Sequence, residues 1–288
     1  MAEDRNSMDV LSIKTPCKIN FRLKVLNRRK DGYHNISSIM VPVAIYDDID
    51  ISLKSSSGIR VVCPVLSIPE KDNIVYKAIE AFFSKAKINH GVSVNITKRI
   101  PAGAGLGGGS SDAAAVLKAL NTILSNPLSL DVLEDLALKL GADVPFFLKN
   151  VPCIAKGVGN IITPIKDWPR FWYVIVTPRI NIATSWVYSN LNLKLTQDED
   201  KAIIGWFGKI NSNVFSMLEN DLERVTVSMV PSIQIIKDTL MELGAAGSLM
   251  SGSGPSVFGV FESEDKAKAA FPLIASRDLG DTFVCAGL

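Results

Sequence analysis

Five glycines stand among residues 103–109 of PAGAGLGGGSS (101–111), and Asp112 with three alanines follows at once. Glycine at this density forfeits backbone entropy and side-chain packing, so a folded chain keeps it where the backbone must turn left-handed or approach something closely. The flanks fix what the loop joins. Before it, Val92, Val94 and Ile96 alternate with polar residues, which predicts a half-buried strand over 92–98. After it, Ala113, Val116, Leu117, Leu120, Ile123 and Leu124 recur at helical spacing, which predicts a helix over 111–124 with one face in a core. Ser110 and Ser111 are the candidate caps of that helix. A loop of bare N–H groups opening onto a helix N-terminus is a ready site for an anion, phosphate above all.

Two common kinds of phosphate loop do not fit. The P-loop pattern G-x-x-x-x-G-K-[ST] needs a lysine after its glycines, and none follows here. The dinucleotide fingerprint G-x-G-x-x-G is met by Gly103, Gly105 and Gly108, as almost any glycine cluster would meet it. Its acidic partner about 20 positions on is missing, since no carboxylate occurs between Asp112 and Asp131. What stays is a loop embracing nucleotide phosphates in a kinase not of the P-loop type, against the bland alternative of a flexible hinge. Lys98 and Arg99 are expected to bring positive charge to the loop's entrance.

A chain of 288 residues exceeds the usual size of a single core, so one large domain or two fused ones are expected. Hydrophobic residues at 47% and charged ones at 21% are ordinary for a soluble enzyme. The net charge of +2 argues against a nucleic acid partner. Cys17, Cys63, Cys153 and Cys285 form no C-x-x-C pair, and reduced, buried thiols are the default. No apolar run has the length of a membrane span and no signal peptide is visible. A cytoplasmic protein is expected, or a stromal one if the source carries plastids.

Strands are predicted at 12–14, 19–26, 39–45, 49–53, 59–63, 92–98, 153–156, 172–177, 257–261 and near 282–286. Helices are predicted at 73–87, 111–124, 129–139, 183–190, 198–209, 212–218, 231–243 and 264–275. That order suggests α+β, and the stretch around Trp168 to Arg170 is the best boundary, giving halves of 1–167 and 168–288.

Several further segments carry chemistry-bearing residues, each with two readings. Asp143 in LGADVPFFL is a carboxylate in an apolar run, either capping backbone or serving with a cationic partner. Pro145 disfavours helix at Val144, and Gly141 suits the cap of the preceding helix, so the chain is expected to turn there. In PCKINFRLKV, Ile19, Phe21, Leu23 and Val25 alternate with Lys18, Asn20, Arg22 and Lys24. A solvated strand face accounts for Arg22 and Lys24, while Lys18 and Asn20, just behind Pro16, are placed where an active site could use them. In DGYHN (31–35), Asp-Gly marks a turn beside Tyr33 and His34, either turn residues or a base-stacking ring and its polar neighbour. MSGSGPSVFGVF (250–261) is a second glycine-rich turn entering a strand, suited to close over the same ligand as the first.

These segments together resemble the GHMP kinase superfamily, whose phosphate loop has the form P-x-x-x-G-L-G-S/G-S-S, met here from Pro101 to Ser111. With DNIVYKA, LGADVPFFL, NDLE (220–223) and DGYH, the likeness runs from residue 16 to 261. It is greatest to a branch whose acceptor is an alcohol carrying cytidine diphosphate. The resemblance implies a two-domain α+β fold, an N-terminal ribosomal-protein-S5-domain-2-like half and a C-terminal ferredoxin-like half, with substrate in a cleft between them. It implies ATP held by Pro101, Ala102, Gly103, Ala104, Gly105, Leu106, Gly107, Gly108, Gly109, Ser110 and Ser111, with Asn73 and Lys98 on the nucleotide side. Mg²⁺ is implied near Ser111, with no side-chain cluster to hold it. Lys18 matches the family's catalytic lysine and Asp143 its catalytic aspartate. Tyr33, His34 and Tyr188 match groups around the cytosine, and Asn20 matches a substrate-contacting asparagine. The family's Gly-x-Gly-Glu reads GVGN here, with Asn160 in place of the acid. A small-molecule acceptor, no nucleic acid, no membrane, and a monomer or weak homodimer are expected. The alternatives are a homoserine or mevalonate kinase of the same superfamily, or a nucleotide sensor without catalysis.

Overall fold

The computed structural model describes residues 10–191 and 214–288. The chain separates into two compact units. One takes Met1–Pro16, Tyr46–Ile100 and Gly108–Lys149, and the other Cys17–Ile45, Pro101–Gly107 and Asn150–Leu288. Two long strands, β1 (Leu11–Arg28) and β2 (His34–Lys54), have residues in both.

In the first unit β4 (Gly91–Thr97) lies between two partners. The later part of β2 runs antiparallel to it, with Asp48 opposite Thr97, and β3 (Gly58–Val62) runs parallel to it. Among the described residues four α-helices complete the unit: α1 (Ile74–Ala86), α2 (Gly108–Ile123), α3 (Leu130–Leu140) and α4 (Val144–Lys149). Their apolar stripes interlock through Val75, Ile79 and Phe82 of α1, Ala113, Val116, Leu117 and Leu120 of α2, and Leu133 and Leu136 of α3, all buried. Asn73 caps α1 by accepting the Val75 N–H at 2.9 Å.

The second unit contains an antiparallel sheet in the order β11-β7-β10-β9, formed by β7 (Trp172–Thr177), β9 (Gly247–Met250), β10 (Val257–Phe261) and β11 (Asp281–Ala286). Helices α7 (Ser232–Glu242) and α8 (Glu264–Ala275) bury Ile233, Ile236, Leu240, Ala267, Ala270 and Ile274 in one core with Val174, Val176 and Phe261 of that sheet. Shorter elements are α5 (Thr184–Ser189) and α6 (Glu223–Met229). The early part of β2 pairs with β5 (Cys153–Gly157), which pairs with β6 (Ile161–Pro164). The two-residue β8 (Glu219–Asn220) runs parallel to β1 with Arg22 opposite Glu219.

The α+β class stands, and several element boundaries change. The strands expected at 12–14 and 19–26 are one strand through Pro16, and those at 39–45 and 49–53 are one strand through Asp47 and Asp48. Lys18 and Asn20 are therefore mid-strand and almost fully buried rather than at a strand's beginning. Helix α2 starts three residues early, so Ser110 and Ser111 lie within its first turn instead of capping it. The chain turns out of α3 at Gly141–Asp143 as expected, but Val144 is helical: α4 begins there, with Pro145 in the first turn, where its missing N–H has no intrahelical partner to lose. The short elements β6, β8, β9 and α6 carried too few residues for a periodic pattern. The helix expected at 198–209 lies outside the described residues. Of the one at 212–218, the described part is a 3₁₀ turn, Val214–Met217.

Candidate active site

The glycine loop is built as its composition requires. Gly103, Gly105 and Gly107 have φ of +64°, +76° and +72°, in the left-handed region closed to most side chains. A Cβ at Gly105 would stand 2.2 Å from the Ser251 carbonyl oxygen, so this position excludes alanine on space as well as on dihedral. Within the second unit the loop is fastened on three sides. The Lys18 N–H donates to the Leu106 carbonyl at 2.9 Å, the Ser256 N–H to Ala104 at 3.3 Å, and the Ser251 hydroxyl to Gly105 at 3.0 Å.

Lys18 thus touches the loop through its own main chain. Its ammonium donates to the side-chain oxygen of Asn20, whose amide nitrogen donates to the Ser38 hydroxyl at 2.8 Å. The Asn20 N–H donates to the Ser251 hydroxyl at 3.2 Å. The second glycine turn presses on the same group: a Cβ at Gly252 would lie 3.3 Å from the Asn20 oxygen and 3.5 Å from the Lys18 nitrogen. Asn220 holds that turn, giving both amide hydrogens away, to the Met250 and Gly252 carbonyls, each at 2.8 Å. Sequence reasoning placed Lys18 and Asn20 together and missed Ser251 and Asn220. NDLE and SGSG were the signals, read only as parts of a likeness.

Tyr33 is 64% exposed at the hairpin tip between β1 and β2. His34 stacks on Tyr188, ring centroids 5.1 Å apart and planes 28° from parallel. Partial burial and the Arg28 guanidinium both hold His34 below its ordinary pKa, which favours the neutral ring.

In the first unit Asp143 is half-buried in the turn between α3 and α4, which the Val144 N–H closes by donating to the Gly141 carbonyl at 3.1 Å. Asn73 lines a cavity of about 310 Å³ together with Arg60, Cys63, Leu66, Ile68 and Glu70.

Lys98 departs from expectation. It is no free cation at the loop's entrance but is buried between Asp47 and Asp112, the second at 2.9 Å. Asp47 also accepts the N–H groups of Arg99 at 2.6 Å and Ile100 at 2.8 Å, and Asp112 accepts the Thr15 hydroxyl at 2.7 Å. Arg99 is likewise paired, with Asp48 at 2.5 Å. Burial, with help from Asp47, raises Asp112 to about 6 against the opposing pull of Lys98 and Thr15. Lys98 is raised, because its two carboxylates outweigh its burial. Asp47, Asp112 and Thr15 were all passed over in the sequence, although an acid opening an otherwise alanine-rich helix is a visible oddity.

The mixed α+β fold with two sheets is that of the GHMP kinases. The family model for the GHMP kinases N terminal domain matches residues 73–150, and that for GHMP kinases C terminal matches 201–272. A relative from Geobacter metallireducens is 44% identical over 280 residues, 97% of this chain and 98% of its own. One from Syntrophotalea carbinolica is 46% identical over 267 residues, 92% and 95% of the two chains. Both are named 4-diphosphocytidyl-2-C-methyl-D-erythritol kinase. A crystal structure of 4-(cytidine 5'-diphospho)-2C-methyl-D-erythritol kinase superposes with a TM-score of 0.82 at 32% identity, covering 96% of this chain and 99% of that one. This chain belongs to the 4-diphosphocytidyl-2-C-methyl-D-erythritol kinase family.

Proposed function

We propose that the protein transfers the γ-phosphoryl group of ATP to the 2-hydroxyl of 4-diphosphocytidyl-2-C-methyl-D-erythritol, giving the 2-phosphate and ADP, in the non-mevalonate route to isoprenoid precursors. One observation supports the site above the others: the buried Lys18 is bonded to the glycine loop through its N–H and to Asn20 through its ammonium. A cation so fixed beside bare loop N–H groups suits a developing phosphoryl charge.

In this proposal Asp143 accepts the proton of the acceptor hydroxyl, and Lys18 stabilises the transferred phosphoryl group. The hydroxyl oxygen bonds to the γ-phosphorus in line as the bond to the β-phosphate oxygen breaks, and ADP leaves. The loop, residues 101–111, cradles the triphosphate. Asn73, Lys98 and the cavity beside Asn73 serve the rest of the nucleotide. The left-handed glycines, open to an approaching anion at Gly103, fit this use. Mg²⁺ bound with the triphosphate would neutralise phosphoryl oxygens, and the buried hydroxyl of Ser111 is a hard oxygen donor of the right kind near it. Tyr33, His34 and Tyr188 hold the cytosine, and Asn20 contacts the acceptor. The division 1–167 and 168–288, and a monomer or weak homodimer, go with the proposal. So does a cytoplasmic setting, since the relatives named above are bacterial. No helix among the described residues is long and apolar enough to cross a membrane.

The test is ADP release measured in parallel with the cytidyl substrate, mevalonate and homoserine. Turnover of the cytidyl alcohol alone is expected. Preferential turnover of either other alcohol would overturn the substrate assignment.

A further inference from the structure

The segment NDLE (220–223) runs from the end of β8 into α6, and each of its three polar side chains bonds to main chain elsewhere in the second unit. Asp221 grips β1. Its carboxylate accepts the Val25 N–H at 2.8 Å, and its own N–H donates to the Leu23 carbonyl at 3.0 Å, extending the pairing of Asn220 with Leu23. Asn220 and Glu223 grip the second glycine turn. Beside the two carbonyls that Asn220 holds, the Glu223 carboxylate accepts the Met250 N–H at 2.8 Å. Further along α6 the fully buried Thr226 hydroxyl donates to the Ser253 carbonyl at 3.2 Å. Glu223 is itself held by Lys237 of α7, the two side chains 15% and 18% exposed.

NDLE is therefore a bracket with one arm on a strand and the other on a turn. The strand carries Lys18 and Asn20, both buried, and the turn lies against them at Gly252. A glycine-rich turn has few side chains of its own to pack, so these polar bonds decide where it stands. Slack in the bracket would open space beside the Lys18 ammonium and loosen the aim of a charge that is useful only while it is held in place.

We infer that Asn220, Asp221 and Glu223, with Lys237 behind Glu223, are positioning residues for phosphoryl transfer: they set the gap between β1 and the second glycine turn, and through it the aim of Lys18. This rests on the proposed role of Lys18 at the transferred phosphoryl group. Glu223→Gln keeps the outline but turns an amide NH₂ towards one of two donors, the Met250 N–H or the Lys237 ammonium, so one bond is lost. The single-turnover rate, at saturating ATP and acceptor, is expected to fall about tenfold, the scale of a hydrogen bond to a charged group. Lys237→Met lies one step further from the turn and is expected to lower that rate about threefold. It is the second variant where Glu223→Gln fails to fold.

The deciding readout is coupling. In a Lys18→Met background the same substitution should change the residual rate by less than about twofold, because the group it positions is gone. A merely structural bracket lowers the melting temperature and gives the same fractional loss of rate, or none, in both backgrounds. Either result sinks the positioning role and leaves that of Lys18 intact. Full rate in Lys18→Met alone would overturn both.

Discussion

The Ser251 hydroxyl donates to the Gly105 carbonyl at 3.0 Å, tying the second glycine turn to the phosphate loop, while it receives the Asn20 N–H at 3.2 Å. One side chain thus sets the spacing between the loop and the strand that carries Lys18. Ser251→Ala loses both bonds at about 1 kcal/mol each. A fall in kcat/KM of about 10- to 30-fold is expected, read by steady-state kinetics at varied ATP. Unaltered kinetics would show that the loop holds its place without this hydroxyl.

Gly105 and Gly103 make an internal comparison. Both have positive φ, but a Cβ at Gly105 meets the Ser251 carbonyl at 2.2 Å whereas one at Gly103 has only Asn181 at 3.8 Å. Gly103→Ala is expected to lose about 1–2 kcal/mol of stability, the cost of a left-handed alanine. Gly105→Ala must also move backbone, so it should melt lower still and bind ATP more weakly. Equal melting temperatures would refute the crowding argument.

Asp143→Asn tests proton acceptance. Turnover should fall about 10²- to 10⁴-fold, the usual weight of a general base, with ATP binding near that of the wild type. Retention of full turnover would remove Asp143 from the reaction.

His34 gives a pH prediction. Its folded pKa lies below the ordinary 6.5, so the folded chain holds that proton less tightly than the unfolded one. Its contribution to stability is complete above pH 6.5 and declines as the pH falls from there through the lowered native value. KM for the cytidyl acceptor should be flat above 6.5 and rise below it, and the rise should be missing in His34→Gln. The same rise in both proteins would assign it to another group.

What the sequence shows plainly is what neighbours in the chain decide. The glycine loop, the apolar face of α2 through Val116, Leu117 and Leu120, and the turn before Tyr33 each rest on a few consecutive residues. The Asp112 group does not: Thr15 reaches it across 97 positions and Asp47 meets Lys98 across 51. No local pattern announces such a meeting. The long strands were hidden for a related reason. Pro16 and the Asp47–Asp48 pair look like breaks, but Asp47 is satisfied by two main-chain N–H groups and by Lys98, so its burial interrupts nothing. The alternation misleads at Arg22, where it suggests a solvated face and the side chain is 13% exposed.

Asn220 gives both of its amide hydrogens to the carbonyls of Met250 and Gly252, while its oxygen accepts the Leu222 N–H at 2.9 Å. Hydrolysis of that amide, the ordinary chemical ageing of asparagine, would leave a side chain of almost unchanged outline. It would set a negative charge against two oxygens that had been held by donors. A protein aged at this one position would keep its mass to within a dalton and its shape on a gel, yet the turn against Lys18 would be pushed away rather than drawn in.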